Sequence, residues 1–264
     1  MIYGKLAIAI LSTLASSDDG STNCQIARYL LAHPQGSDLS IGELAAQCYV
    51  SSSTISRFCR EIGLADFSEL KTLMRDTKWS YEQIATPDTA QRHESLVGSV
   101  KNALDQAASS IDNTKLMALC SDIAAYDKVA AFGLLKAGVV AQNLQADLLL
   151  MGKIIETKIP LAQQAAYLSR AGKDTLVIIF SYSGIYFDTY FSRLPMPEEK
   201  PRIVLITGGK NIKKSRLVDD VITFESNLGQ LGHPYQLLLV SSMIAQGVAH
   251  FLKVNTIENK ISEI

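Results

Sequence analysis

The chain has 264 residues, 47% of them hydrophobic and 19% charged, so burial can offset chain entropy along most of its length and a disordered chain is excluded. Twenty-five basic and 26 acidic side chains leave a formal charge of -1, so no global field favours a nucleic acid and any such binding must rest on local features. The cysteines, Cys24, Cys48, Cys59 and Cys120, form no C-x-x-C pair and have no histidine at ligand spacing, which argues against structural zinc and a disulfide scaffold and fits reduced thiols in a cytoplasm.

Near the start, Lys5 precedes the apolar run Leu6 to Ala15, which resembles the core of a signal peptide. A single positive charge and the lack of a clear small-x-small cleavage site point instead to a packed or dimer-swapped helix. No run is expected to be long and apolar enough to span a bilayer. Up to Trp79 apolar residues recur at three and four spacing, predicting an all-α domain over residues 1–80. Within it Ser40-Ile41-Gly42-Glu43 reads as a capping box, which starts a helix that turns Ile41, Leu44 and Ala45 inward and stops near Gln47. After Cys48-Tyr49-Val50, Ser51 is placed to cap a second helix that ends at Ile62 and Gly63.

Two helices joined by so short a turn form a helix-turn-helix, whose second member enters the major groove. Ile55, Phe58 and Ile62 share its inner face, while Ser52, Ser53, Thr54, Ser56, Arg57 and Arg60 lie on the outer one. Short hydroxyl side chains allow close approach to the groove, and arginine can bond guanine in bidentate fashion or clamp a phosphate. A solvated packing unit would show the same pattern, and the first 80 residues hold seven basic against eight acidic side chains, so both readings stand at this point.

Residues 81–93, with Pro87, Asp88, Thr89 and Gln91, read as a linker, and Ser95 to Ala125 as one or two helices. Strands are then expected at Lys128–Phe132, Lys153–Ile159, Thr175–Phe180, Arg202–Thr207 and Asp220–Phe224. Helices fit between them at Ala137–Leu150, Pro160–Ala171, Ile185–Leu194 and Ile212–Leu217, and a last one at Pro234–Leu252 with Pro234 in its first turn. Over residues 94–264 this alternation predicts an α/β domain, a doubly wound parallel five-stranded sheet with its ligand at the carboxyl ends of the strands. There Thr175–Phe180 runs into Ser181-Tyr182-Ser183-Gly184, a collection of hydroxyls and free amides suited to a phosphate or a sugar hydroxyl, although such residues are also ordinary turn chemistry. The first strand ends in Phe132-Gly133 and leads to Lys136, Ala137 and Gly138 on the same sheet edge. His233 and Glu225 could supply an acid–base pair for isomerisation, but more often such residues are a helix-start polar group and a loop carboxylate.

The stretch Leu39-Ser40-Ile41-Gly42-Glu43-Leu44-Ala45, Val50-Ser51, Thr54-Ile55-Ser56-Arg57-Phe58-Cys59-Arg60-Glu61-Ile62-Gly63-Leu64, Phe67 and Leu70-Lys71 resembles the DNA-binding domain of the RpiR family of regulators. From about Lys128 to Leu252 the chain is similar to the sugar-isomerase (SIS) domain that follows it in that family. The resemblance implies a transcription regulator of carbohydrate metabolism rather than an enzyme. It would need no cofactor or metal, read double-stranded DNA as a homodimer on a palindromic operator, and respond to a phosphosugar; tetramers stay open. An isomerase, or a regulator whose SIS domain only dimerises, are the alternatives. DNA contacts would come from Ser40, Ser51, Ser52, Ser53, Thr54, Ser56, Arg57 and Arg60, and effector contacts from Gly133, Lys136, Ser181, Tyr182, Ser183, Gly184 and Tyr186. Three departures stand out: Tyr49 where the turn often has glycine, Leu135 and Lys136 where the first loop usually has glycine and serine, and Tyr186 where a threonine is usual.

Overall fold

The computed structural model describes residues 4–16, 18–34, 38–77, 81–187, 197–209, 215–227 and 229–262. They divide into two compact units, one of residues 3–80 with 159–167 and one of residues 81–158 with 168–264. In the first, apolar spacing of three and four residues becomes helix throughout: α1 (Lys5–Ser16), α2 (Thr22–Ala32), α3 (Ile41–Gln47), α4 (Ser52–Glu61) and α5 (Phe67–Asp76), joined by the short α9 (Leu161–Leu168). One cluster draws Leu6 and Ile10 from α1, Ile26 and Leu30 from α2, Leu44 from α3, Ile55 and Phe58 from α4, and Leu70 and Met74 from α5. The apolar start of the chain is thus a packed helix, with Leu6 to Ile10 buried.

The second unit begins with α6 (Thr89–Ser110) and α7 (Asn113–Ala125), so residues 89–93, read above as linker, are already helical behind the Asp88 cap. Then come β1 (Lys128–Gly133), α8 (Lys136–Leu149), β2 (Thr175–Phe180), β3 (Arg202–Thr207), β4 (Asp220–Thr223) and α10 (Tyr235–Ser262). All strands are parallel in the order β1-β2-β3-β4. Val129, Ala131, Leu176, Ile178, Phe180, Val204 and Ile206 pack with apolar residues of α7, α8 and α10 in one core. The alternate residues Ala130, Phe132, Val177, Ile179, Ile203 and Leu205 are buried too, which is why these strands read as continuous apolar runs.

The sheet has four strands among the described residues, not five. Lys153–Ile159 makes a single bridge, in which Glu156 N–H donates to the Val129 carbonyl (2.9 Å) and Ala131 N–H to the Glu156 carbonyl (2.8 Å). Gly152, at φ 81°, and Pro160, which has no N–H, bracket this segment, and Ile154 is 74% exposed, so it lacks the two-sided burial that holds a parallel strand. Of the helices expected at Ile185–Leu194 and Ile212–Leu217, residues 188–194 and 212–214 lie outside the described residues.

Two further expectations change. Pro234 stands one residue before α10, where its carbonyl accepts the Leu238 N–H at 2.9 Å, rather than within the first turn. Tyr235–Leu252 is long and apolar enough by composition to cross a membrane, with mean hydropathy 1.3, but Leu237, Val240, Ile244 and Val248 of this helix are buried in the core.

Candidate nucleic-acid interface and effector pocket

Each helix of the pair at residues 40–62 is opened by a serine. Ser40 and Glu43 close the reciprocal box: the Glu43 N–H donates to Ser40 Oγ (3.2 Å) and the Ser40 N–H to Glu43 Oε2 (2.6 Å). Hydrogen bonding of the Ser40 side chain, then of its backbone N–H, to the carboxylate holds the Glu43 carboxyl below its usual range. Ser51 Oγ accepts the Thr54 N–H (3.2 Å) and lies 2.7 and 2.9 Å from the Ser53 and Thr54 hydroxyls, so three hydroxyls gather at the positive end of α4.

The turn between them is a Schellman motif. Val50 N–H donates to the Ala45 carbonyl and Tyr49 N–H to that of Ala46, with Tyr49 at φ 56°. The end of α4 repeats it, Leu64 to Cys59 and Gly63 to Arg60, with Gly63 at φ 83°. Tyr49 therefore occupies a left-handed position that glycine fills without strain, and its side chain, 95% exposed, gains no packing in return.

Ile55 and Phe58 of α4 are fully buried, and Ser52, Ser53, Arg57 and Arg60 are exposed on the opposite face. Thr54 and Ser56 are half-buried, and the Ser56 hydroxyl donates back to the Ser52 carbonyl. Glu61 moderates the arginine face. Its Oε1 lies 3.7 Å from Arg57 Nε while Asn23 of α2 donates to its Oε2 at 2.7 Å. Arg57 keeps 63% of its side chain in solvent.

The carboxyl edge of the sheet gathers the ends of β1 to β4 and the start of α10. Gly133 is there for packing: a Cβ on it would lie 2.5 Å from the Ala137 carbonyl, so only glycine lets β1 meet α8. Leu135 follows at φ 52°, a conformation glycine adopts without strain, and it caps α8 without a side-chain hydrogen bond. Lys136 Nζ donates to the His233 carbonyl at 3.2 Å. After β2, the Gly184 N–H donates to the Ser181 carbonyl, closing a turn with Gly184 at φ 78°. Ser181 is buried and Ser183 half-buried. The two tyrosines of the set turn inward: Tyr186 is 1% exposed, and burial pushes its phenol well above the ordinary value. Tyr182 is also buried, its phenol raised by burial, and it stacks on the His233 ring at 4.4 Å. Burial, then the Lys136 charge, lowers the His233 imidazole to about 4, so the ring is neutral at physiological pH. Glu225 is exposed; its N–H donates to Ser110 Oγ at 2.7 Å.

Sequence reading missed the polar cluster under this edge, where Tyr182, Ser226 and Gln236 meet around one buried amide. The available signal was a glutamine directly before the apolar run Leu237 to Val240, two residues after Pro234. It also missed the Asp66 cap of α5, which accepts the Glu69 N–H at 2.9 Å and has a glutamate three residues on, as Ser40 does.

Comparison with known proteins bears on both units. The model of the helix-turn-helix domain, rpiR family, matches residues 10–78. An HTH-type transcriptional regulator of Caldanaerobacter subterraneus subsp. tengcongensis is 30% identical over 143 residues, 52% of this chain and 50% of that one. The HTH-type transcriptional regulator YbbH of Bacillus subtilis is 26% identical over 167 residues, 61% of this chain and 59% of its own length, so the chain spans only half to three fifths of these relatives. Among solved structures, the Vibrio vulnificus NanR protein complexed with ManNAc-6P superposes with TM-score 0.51 at 17% identity, covering 98% of this chain and 99% of that one. An E. coli CFT073 protein determined as a ligand complex gives TM-score 0.52 at 17% identity over 64% of this chain and 94% of its own. At that identity the matches show a shared fold alone, with NanR over nearly the whole chain and with the E. coli protein over 64% of it. Residues 10–78 are thus similar to the rpiR family of helix-turn-helix domains.

Proposed function

We propose that the chain is a sequence-specific DNA-binding transcription regulator, active as a homodimer on a palindromic site, whose DNA affinity is set by a phosphosugar held at the carboxyl edge of its parallel sheet. The observation that carries this reading is α4: a serine-capped helix anchored by buried Ile55 and Phe58, with Ser52, Ser53, Arg57 and Arg60 turned to solvent. Its positive end and hydroxyls suit backbone phosphates, and its arginines suit guanine edges. Balanced net charge means that affinity would come from this face and not from the whole surface.

For the effector, the Ser181 and Ser183 hydroxyls and the Lys136 ammonium supply two donors and a cation on one sheet edge, the chemistry a phosphate monoester requires. NanR, which shares the fold, was determined with ManNAc-6P, and a phosphorylated sugar of that kind is the effector class we assign here. The neutral, stacked His233 and the exposed Glu225 favour a binding role over isomerisation.

Selection of bound sequences from a random DNA pool tests the regulator reading. A palindrome with half-sites about one helical turn apart is expected. Arg57→Ala should lower the preference for that sequence roughly fivefold or more, since a bidentate guanine contact is worth about 1–3 kcal/mol, and leave the oligomeric state unchanged. Undiminished selectivity in the variant, or no enrichment by the unaltered chain, would refute it.

A further inference from the structure

Gln236 is 0% exposed at the start of α10, and every hydrogen-bonding site of its amide is used. Oε1 accepts from the Tyr182 hydroxyl at 2.7 Å and lies 2.7 Å from Ser226 Oγ, while Nε2 donates to the Ala103 carbonyl of α6 at 2.7 Å and to the Glu225 carbonyl at 3.0 Å. The opposite amide orientation would set its oxygen against two carbonyls, so the arrangement has one solution. Ser226 Oγ is also 2.8 Å from the Tyr182 hydroxyl, which closes a triangle of three oxygens. Two hydroxyl protons serve three edges, and one edge is always redundant. Backbone is pressed onto the same point: a Cβ on Gly232 would lie 3.2 Å from both the Ala103 Cβ and the Tyr182 hydroxyl.

We infer that Gln236 is a positioning residue that ties the Ser181–Gly184 loop to α6, an inference resting on the reading of that loop as the effector site. Tyr182 stands between the two serines that would grip the phosphate, so fixing them fixes its ring and hydroxyl. Gln236 passes that constraint to the Ala103 carbonyl on the helix that first follows the linker. A buried, fully satisfied amide suits this role because any shift of the tyrosine alone leaves an unpaired group in a dry interior, at a cost of about 1–3 kcal/mol.

The test uses the full chain with Tyr182→Phe, Ser226→Ala and Gln236→Met. In Tyr182→Phe the serine still donates to Oε1, so the fold is kept while the loop is released. In Ser226→Ala a hydroxyl is lost but the Tyr182–Gln236 bond stays. Hydrogen–deuterium exchange should be about fivefold faster in α6 around Ala103, as well as in the loop, for Tyr182→Phe and Gln236→Met, and unchanged in α6 for Ser226→Ala. Exchange in α6 that stays at the unaltered rate in Tyr182→Phe, or rises equally in Ser226→Ala, overturns the inference. A second arm measures DNA affinity with and without ManNAc-6P, with inorganic phosphate as the control anion. A response in the unaltered chain should fall to within about twofold of none in Tyr182→Phe and persist in Ser226→Ala, a pattern that follows from the coupling being carried by this one bond; a full response in Tyr182→Phe overturns it. No response in the unaltered chain refutes the effector reading by itself, while the exchange comparison still decides the link.

Discussion

Replacing His233 by asparagine should flatten the pH dependence of stability between pH 7.5 and 5. The imidazole is 4% exposed, stacked on Tyr182 with the Lys136 ammonium nearby, and titrates at about 4 instead of 6.5. Its folded pKa is depressed, so below pH 6.5 the unfolded chain binds a proton that the folded chain refuses. Stability is therefore level above about pH 7.5 and falls as the pH drops from 6.5 towards 4. The two pKa values set a limit of about 3 kcal/mol, of which about 2 kcal/mol is lost by pH 5. Urea unfolding followed by circular dichroism measures this at both pH values for the unaltered chain and His233→Asn. The variant starts from a lower stability because it loses the stack, but its own decline should be smaller by about 2 kcal/mol. Equal declines would mean that the ring protonates freely in the folded state, and the buried, stacked placement would be wrong.

Gly133→Ala places a Cβ 2.5 Å from the Ala137 carbonyl, backbone against backbone, and should cost about 3 kcal/mol in thermal or urea unfolding of the α/β unit. Ser51→Ala removes the acceptor for the Thr54 N–H and should cost about 1 kcal/mol in the helical unit by the same measurement. Tyr49→Gly relieves a left-handed residue whose side chain is 95% exposed, and should raise the stability of that unit by about 1 kcal/mol; a loss would mean that the ring is held by contacts.

Much of this was legible in the residues because it is local. Ser40 with Glu43, Ser51 with Thr54, and Gly63 after Ile62 act over one helical turn, so their spacing along the chain is their geometry. The same holds for Thr175–Phe180 and Arg202–Thr207, whose unbroken apolar runs announce strands buried on both faces. Lys153–Ile159 is interrupted by Lys153, Glu156 and Lys158 and makes one bridge, since a parallel strand holds only where a neighbour and two covered faces are supplied.

At the sheet edge, chain order alone was enough to bring Gly133, Lys136, Ser181 and Ser183 to one side, because parallel strands with helical crossovers put every strand end there. Which of the group would be sealed inside was a matter of packing. Tyr182 and Tyr186 lie in the same stretch as the serines, and only the contacts with His233, Ser226 and Gln236, 40 or more residues away in sequence for Tyr182, turn Tyr182 inward. Spacing along the backbone determines caps, turns and strand order; burial depends on what distant segments bring to the same volume, and that decides which polar groups remain available to a ligand.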